Sequence, residues 1–362
     1  MEQSTINDKH LATGCLVSLL QAALGCIPQQ LPDGFDMKSA YALAQRQEVA
    51  AIAMDGLQRM SEICPRRVES GVDKAVKMQW IGCMMAQEKH YANSRVAATN
   101  LAALYHGSGI CTYVLKGLSI SQLYPNPSHR FSCDMDCFLL SQSGALAYKV
   151  GNDLAAASGC EVDDGYYKHS SFMFRGLAVE NHRYCCSVKR SRRTRALEDY
   201  LQELLRNDTP RFIDGTQLAL PPRMFQALFL IEHTNGHFLY SKMSIKHICD
   251  WAVMRQAFRE TLDWTEFDRQ CRRFGLNNFV ECMNRLADYV LGVCSYNDLL
   301  SIDKRVLADT VKDVYLPHGK MRQRMEKALG VLHSSWKFRN FCADSMLKEL
   351  THSIWAHLFS AG

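Results

Sequence analysis

The residues with the clearest chemical potential are Asp134 and Asp136, in the run Arg130-Phe131-Ser132-Cys133-Asp134-Met135-Asp136-Cys137-Phe138-Leu139-Leu140. From Phe131 to Leu140 this run reads as a strand, and side chains alternate faces along a strand. Asp134 and Asp136 then share one face about 7 Å apart, with Met135 and Cys137 on the other. Such a pair suits a hard divalent cation that takes oxygen ligands and bridges substrate phosphates. Buried without a metal or another cation, the pair would be strongly destabilising. The bland alternative is two exposed aspartates at a strand end. A third carboxylate follows in Leu177-Ala178-Val179-Glu180-Asn181-His182, where alternation puts Glu180 and His182 on one face and Leu177 and Val179 on the other. If that strand lies beside the first, Glu180 completes a metal-binding triad. Taken alone, Glu180 reads equally well as an edge-strand surface charge.

Other residues compete for attention. His233 and His237 are four apart and share a helix face, which would suit zinc, but the metalloprotease pattern needs Glu where this chain has Thr234. A polar contact between helices involving Asp250 is the plainer expectation. His169, just before a hairpin, is either a site residue or a surface histidine. Lys189 to Arg195 holds five cations in seven residues, suited to phosphate or to a solvated helix start, and no aromatic platform is interleaved with it. The 15 cysteines are odd in number and form no CxxC knuckle, so they read as reduced, buried filler rather than as disulfides or a zinc ribbon.

These residues need a scaffold, and 362 residues at 47% hydrophobic content supply two or three domains' worth of core. Leu16, Leu19, Leu20 and Ala23, then Val72 through Trp80 to Leu104, carry helical spacing, which makes residues 1–107 an N-terminal helical region. At Gly107 and Gly109 the texture changes. Strands are predicted at Cys111–Leu115, Phe131–Leu140, Cys160–Val162, Ser170–Phe174 and Leu177–Tyr184, with a helix over Ser141–Ala157 and a hairpin turn at Arg175-Gly176. Residues 108–192 thus read as a small α/β core, and residues 193–362 as a C-terminal helical domain with helices over Arg195–Leu205, Arg223–Leu239, Ile245–Phe258, Asn277–Val293 and Trp336–Phe359. The fold class is α+β, a small mixed sheet flanked by helices. No dinucleotide or P-loop glycine fingerprint occurs. The net charge of +5 excludes a polybasic protein and demands no nucleic acid. Apolar stretches such as Met224 to Ile231 fall well short of the ~20 residues that span a bilayer, and Met1 to His10 lacks a signal-peptide pattern, so a soluble, cytoplasmic protein is expected.

The order of strand, Leu115-Lys116-Gly117, helix, Arg130, Asp134-x-Asp136 and a distal Glu180 resembles the DNA polymerase β-like nucleotidyltransferase superfamily. With Val179-Glu180-Asn181-His182, His233-x-x-x-His237 and Asp250-Trp251, the chain looks like the bacterial uncharacterised nucleotidyltransferase family over roughly residues 102–254. The resemblance implies Mg²⁺, with Mn²⁺ as a substitute, held by Asp134, Asp136 and Glu180 as the catalytic carboxylates. It implies nucleotidyl transfer from a nucleoside triphosphate to the hydroxyl of an unidentified small molecule, protein or RNA end. Lys116, Gly117, Ser119 and Arg130 would contact the nucleotide, and His182 and His169 would be accessory. The superfamily usually has Gly-Ser where this chain has Lys116-Gly117, with Ser119 two residues on, and the interval to Asp134 is longer than usual. The alternative is a catalytically silent nucleotide-binding or interaction module on the same fold.

Overall fold

Alternating apolar residues between glycine-rich turns fold as six strands: β1 (Ile110–Val114), β2 (Asp134–Ser141), β3 (His169–Phe174), β4 (Leu177–His182), β5 (Arg211–Phe212) and β6 (Leu218–Leu220). They form one mixed sheet in the order β3-β4-β2-β1-β6-β5, in a computed structural model that describes residues 2–25, 34–63, 73–312 and 335–342. β3 and β4 make the expected hairpin, and its turn residues Arg175 and Gly176 both take positive φ, 50° and 82°, the backbone twist that two-residue hairpin loops require. β4 lies parallel to β2 with Asp136 opposite Glu180 and Asp134 opposite Ala178. β1 runs antiparallel to β2, with Val114 opposite Cys137.

The sheet has two differently used faces. Met135, Cys137, Leu139 and Val179 pack against α4 (Lys74–His106), through Ala98, Leu101 and Tyr105, and against α6 (Tyr148–Ala157). Tyr113, Phe138 and Leu140 face a larger core. That core also holds residues of α1 (Glu2–Leu24), α3 (Ala50–Ile63), α8 (Arg223–Tyr240), α9 (Ile245–Ala257) and α11 (Asn277–Val290). Helices from both ends of the chain therefore share one interior. Gln47 joins them directly, donating to Thr310 O at 3.2 Å and accepting from Ile245 N at 2.8 Å, while Gln21 donates to Tyr289 O.

Several elements differ from the sequence expectation. β5 and β6 follow α7 (Arg192–Arg206) and extend the sheet with residues 211–220, because β6 pairs in parallel with β1. They are too short for periodicity to reveal. The strand expected at Cys160–Val162 is reduced to a single bridge, Asp163 to Ser171, where Gly159 and the Asp163-Asp164-Gly165 turn interrupt extension. The helix expected from Ser141 begins only at Tyr148, because Ser141 Oγ accepts from Ala145 N and closes a turn first. α10 (Trp264–Phe274) and α12 (Ser301–Val311) were not anticipated. The closing helix begins at Ser335, and what was expected of it beyond residue 342 lies outside the described residues.

The segment leading into β2 is pinned by charge. Arg130 is buried and donates from Nε and an Nη to the two carboxylate oxygens of Asp250, at 3.0 and 2.6 Å, with Tyr124 Oη donating to Asp250 at 2.8 Å. Against the cost of burial, Arg130 holds the Asp250 carboxyl below the usual range. One residue earlier, His129 sits between Asp55 (2.8 Å) and Glu88 (2.9 Å). Burial opposes its protonation, but the two carboxylates raise its pKa above the ordinary value.

Two outcomes follow. Arg130→Met should cost about 3–5 kcal/mol, because it strands a buried carboxylate, and Arg130→Met with Asp250→Leu should recover most of it, as measured by denaturant unfolding. A raised folded pKa means that the His129 contribution is complete below its unfolded value near 6.5 and is lost as pH rises through the folded one. Stability should therefore fall above about pH 6.5 by no more than about 1 kcal/mol, given the partly exposed partners, and His129→Gln should flatten that dependence in melts from pH 5.5 to 8.5.

Candidate active site

The parallel register of β2 and β4 sets Asp136 and Glu180 side by side on one face. Asn181, on the opposite face of β4, locks the strand to α6 by donating to Tyr148 O (3.0 Å) and Asn152 Oδ1 (2.7 Å). Asp136 is only 1% exposed, Asp134 is half-buried, and Glu180 reaches the solvent. The sequence alternation thus becomes a carboxylate-lined face with a buried floor and an open edge.

Two cations face these acids. Lys116 follows β1, where Leu115 N donates to Asp136 O at 3.0 Å, and its Nζ lies 3.1 Å from Asp136 Oδ2 and 3.9 Å from Asp134 Oδ2. Gly117 ends this segment at φ 64°, and a Cβ there would come within 2.7 Å of Ser132 Oγ, so glycine is required both for its conformation and for the close approach. His182, buried beside Asp136, donates from Nδ1 to Tyr184 O and from Nε2 to Asp136 Oδ1, each at 3.0 Å. A ring that donates from both nitrogens is an imidazolium. Its Nε2 is also 3.5 Å from Glu180 Oε2, as is Nε2 of His169.

Burial and the opposing charges split the acids. Burial works to raise the pKa of Asp136, but Lys116 and then His182 hold it well below the carboxylate range. Asp134 is raised, by burial and then by the negative charge of Asp136. Lys116 stays protonated because Asp136 and Asp134 outweigh its desolvation, and His182 is raised against burial by its bonds to Asp136 and Glu180. His169 moves the other way, lowered chiefly by burial.

The two acids suit a divalent cation. An oxygen of Asp136 and one of Glu180 lie within 4.8 Å of each other, with a nitrogen of His182 equally close, although His182, as an imidazolium, is a counter-charge there and not a ligand. Asp136 Oδ2, buried and lacking an aligned hydrogen bond despite the nearby Lys116 ammonium, is an acceptor that a metal would satisfy. Asp134 does not join that closest set, and its partner is Lys116.

The remaining candidates are placed as follows. Arg130 is engaged by Asp250 and by Phe131 O, and borders a cleft that also includes His90, Tyr91, Leu118, Phe131 and Asp134. Ser119 is buried, with no hydrogen-bond partner for its Oγ among the described residues. The basic run starts helix α7: Ser191 caps it by accepting from Thr194 N, Arg190 pairs with Glu232, and Arg192, Arg193 and Arg195 are exposed. The described cysteines are free, and Cys15, Cys137, Cys185, Cys186, Cys249, Cys271 and Cys282 are buried as core filler. Lys168 and Lys246 went unremarked in the sequence, yet Lys168 acts electrostatically on His182 and Lys246 on Asp134. Isolated lysines on a loop and a helix start carry no pattern that would have singled them out.

No helix among the described residues is long and apolar enough to cross a membrane. No curated protein and no solved structure matches the chain. A family model does, across residues 33–292, a span that takes in the sheet, the paired carboxylates and the helices that face them. The chain therefore belongs to the uncharacterised nucleotidyltransferase family.

Proposed function

We propose that this protein transfers a nucleotidyl group from a nucleoside triphosphate to an acceptor hydroxyl, with Asp134, Asp136 and Glu180 holding Mg²⁺ or Mn²⁺. The observation that carries the reading is the pairing of Asp136 with Glu180 across adjacent parallel strands, within reach of a shared ion. When bound, the metal would neutralise the triphosphate and the departing pyrophosphate. The chain's own groups do the rest. Lys116, on a flexible four-carbon stem beside the carboxylates, can turn its ammonium to phosphate oxygens once another cation serves Asp136. Gly117 lets the backbone approach those phosphates without a side chain between. Glu180, on the open edge, accepts the hydrogen bond of the acceptor hydroxyl and orients it, and His182 and His169 hold Glu180 from two sides. Arg130 acts through Asp250 to fix the start of β2 and so positions Asp134.

A second reading has one observation in its favour. Lys116 already pairs with Asp136 and stands beside Asp134, as it would in a catalytically silent module that uses the fold to bind a nucleotide or a partner.

Two experiments test these readings. Asp136→Asn and Glu180→Gln should each weaken Mg²⁺-dependent binding of a nucleoside triphosphate by at least about tenfold, or 1.4 kcal/mol, by calorimetry, and should abolish metal-dependent pyrophosphate release when an acceptor-containing extract is supplied. Unchanged affinity in both variants would sink the metal assignment. Lys116→Met should strengthen binding of Mg²⁺ alone, by removing its competitor, while weakening that of the metal-bound triphosphate. If it restores triphosphate binding to a protein that otherwise shows none, Lys116 is an internal plug and the silent reading is the better one.

A further inference from the structure

Helices α8 and α9 are joined by residues 241–244, and that short turn brings His237, near the end of the first helix, against His247, in the opening turn of the second. His233, one turn earlier, completes a cluster in which one ring nitrogen from each residue lies within 4.8 Å of the other two. His233 Nε2 and His237 Nε2 are 3.0 Å apart. Ring centroids lie 4.5 Å apart for His233 and His237, and 5.2 Å for His237 and His247. All three residues are partly accessible, so an ion could reach them.

We propose that His233, His237 and His247 form a binding site for a divalent transition-metal ion of the zinc class, separate from the carboxylates of β2 and β4. A tetrahedral zinc with bonds of about 2.0–2.1 Å places its nitrogens about 3.3 Å apart, close to the spacing already held by His233 and His237. His237 Nδ1, 3.0 Å from Ser241 Oγ, is supported as metal-bound imidazoles usually are; His247 Nδ1 accepts from Ser244 N at 3.1 Å, so ligation through its Nε2 requires the ring proton to shift to Nδ1 and be taken by Ser244 Oγ (3.0 Å) or O (3.3 Å). The set contains no carboxylate, which disfavours Mg²⁺ and Ca²⁺ and suits a borderline-soft ion. Burial, followed by the nearby lysines, also keeps the three rings neutral, so their lone pairs are available: His233 is held well below its ordinary pKa, His237 at about 4 and His247 at about 3. Three protein ligands leave a fourth position for water or a ligand oxygen. A hydrogen bond between His233 and His237 accounts for that pair without metal, and the cap of α9 accounts for the seat of His247, but neither requires all three rings to bring a nitrogen to one point.

The test uses the full chain stripped with chelator, then titrated with Zn²⁺ against a chromophoric competitor and with Co²⁺ by visible absorption. One ion per chain should bind, giving a tetrahedral cobalt spectrum that millimolar Mg²⁺ does not displace. His237→Gln and His233→Gln, each checked for folding by circular dichroism, should weaken binding by at least about a hundredfold, the upper end of what losing an outer-shell partner costs. Asp136→Asn and Glu180→Gln should leave binding little changed, which separates this site from the transfer reading. Absence of binding at micromolar Zn²⁺ or Co²⁺, affinity in both histidine variants equal to that of the unsubstituted chain, or loss of the ion in Asp136→Asn would overturn the proposal.

Discussion

Asp136 is a carboxylate almost without solvent in the middle strand of a sheet, and it stays ionised because Lys116 and His182 stand against its two oxygens. An uncompensated charge in that position would cost several kcal/mol. Much of the surrounding architecture follows from supplying the compensation. β1 must end beside β2 so that Lys116 arrives within 3.1 Å, and Gly117 must follow for the chain to leave. β4 must be parallel and in register for His182 to reach Asp136, and Asn181 on the reverse face holds that register against α6. The Arg130–Asp250 pair ties the approach to β2 to helix α9, so the large helical core bears directly on where Asp134 begins.

This arrangement also makes the carboxylates inequivalent. Asp136 is surrounded by donors and binds a proton poorly, whereas Asp134 is desolvated, repelled by its neighbour and binds one more readily. Glu180 is the more accessible of the pair it forms with Asp136. A face graded from a buried charge to a partly accessible one is suited to exchanging partners at its open edge. Lys116 is central to that exchange. Its ammonium meets Asp136 closely and Asp134 only at 3.9 Å, a distance at which a single charge satisfies neither acid of the pair fully.

The sequence exposed the parts of this design that depend on local periodicity. Alternation in β2 and β4 placed Asp134 with Asp136 and Glu180 with His182, and Arg175-Gly176 marked the hairpin because left-handed backbone has few acceptable residues. Long-range pairings were not written locally. Nothing near Lys116 says that it will meet Asp136, since that contact depends on antiparallel pairing across a loop. Arg130 looked like a phosphate ligand for the same reason: its partner Asp250 is 120 positions away. The two short strands after α7 could not be read from a period-2 pattern two or three residues long, and they become strands because β1 offers an open edge.

The helices that cover the carboxylate-bearing face carry a different chemistry from the strands beneath. Among the described groups, the strands bring Asp134, Asp136 and Glu180, while the loop before β3 and the start of α9 bring Lys168 and Lys246, and α8 and α9 bring neutral histidines. Lys116 and Lys168 both bear on His233 and His237, and Lys246 bears on His237, His247 and Asp134. An anionic floor and a cationic, imidazole-bearing roof therefore adjoin within a chain whose net charge is only +5. That opposition is invisible to composition, because the charges cancel in the sum. It sets an oxygen-rich floor, whose imidazoles His182 and His169 are turned to carboxylates, beside a roof whose three histidines have no carboxylate among them, so a cation's own softness bears on which side it enters.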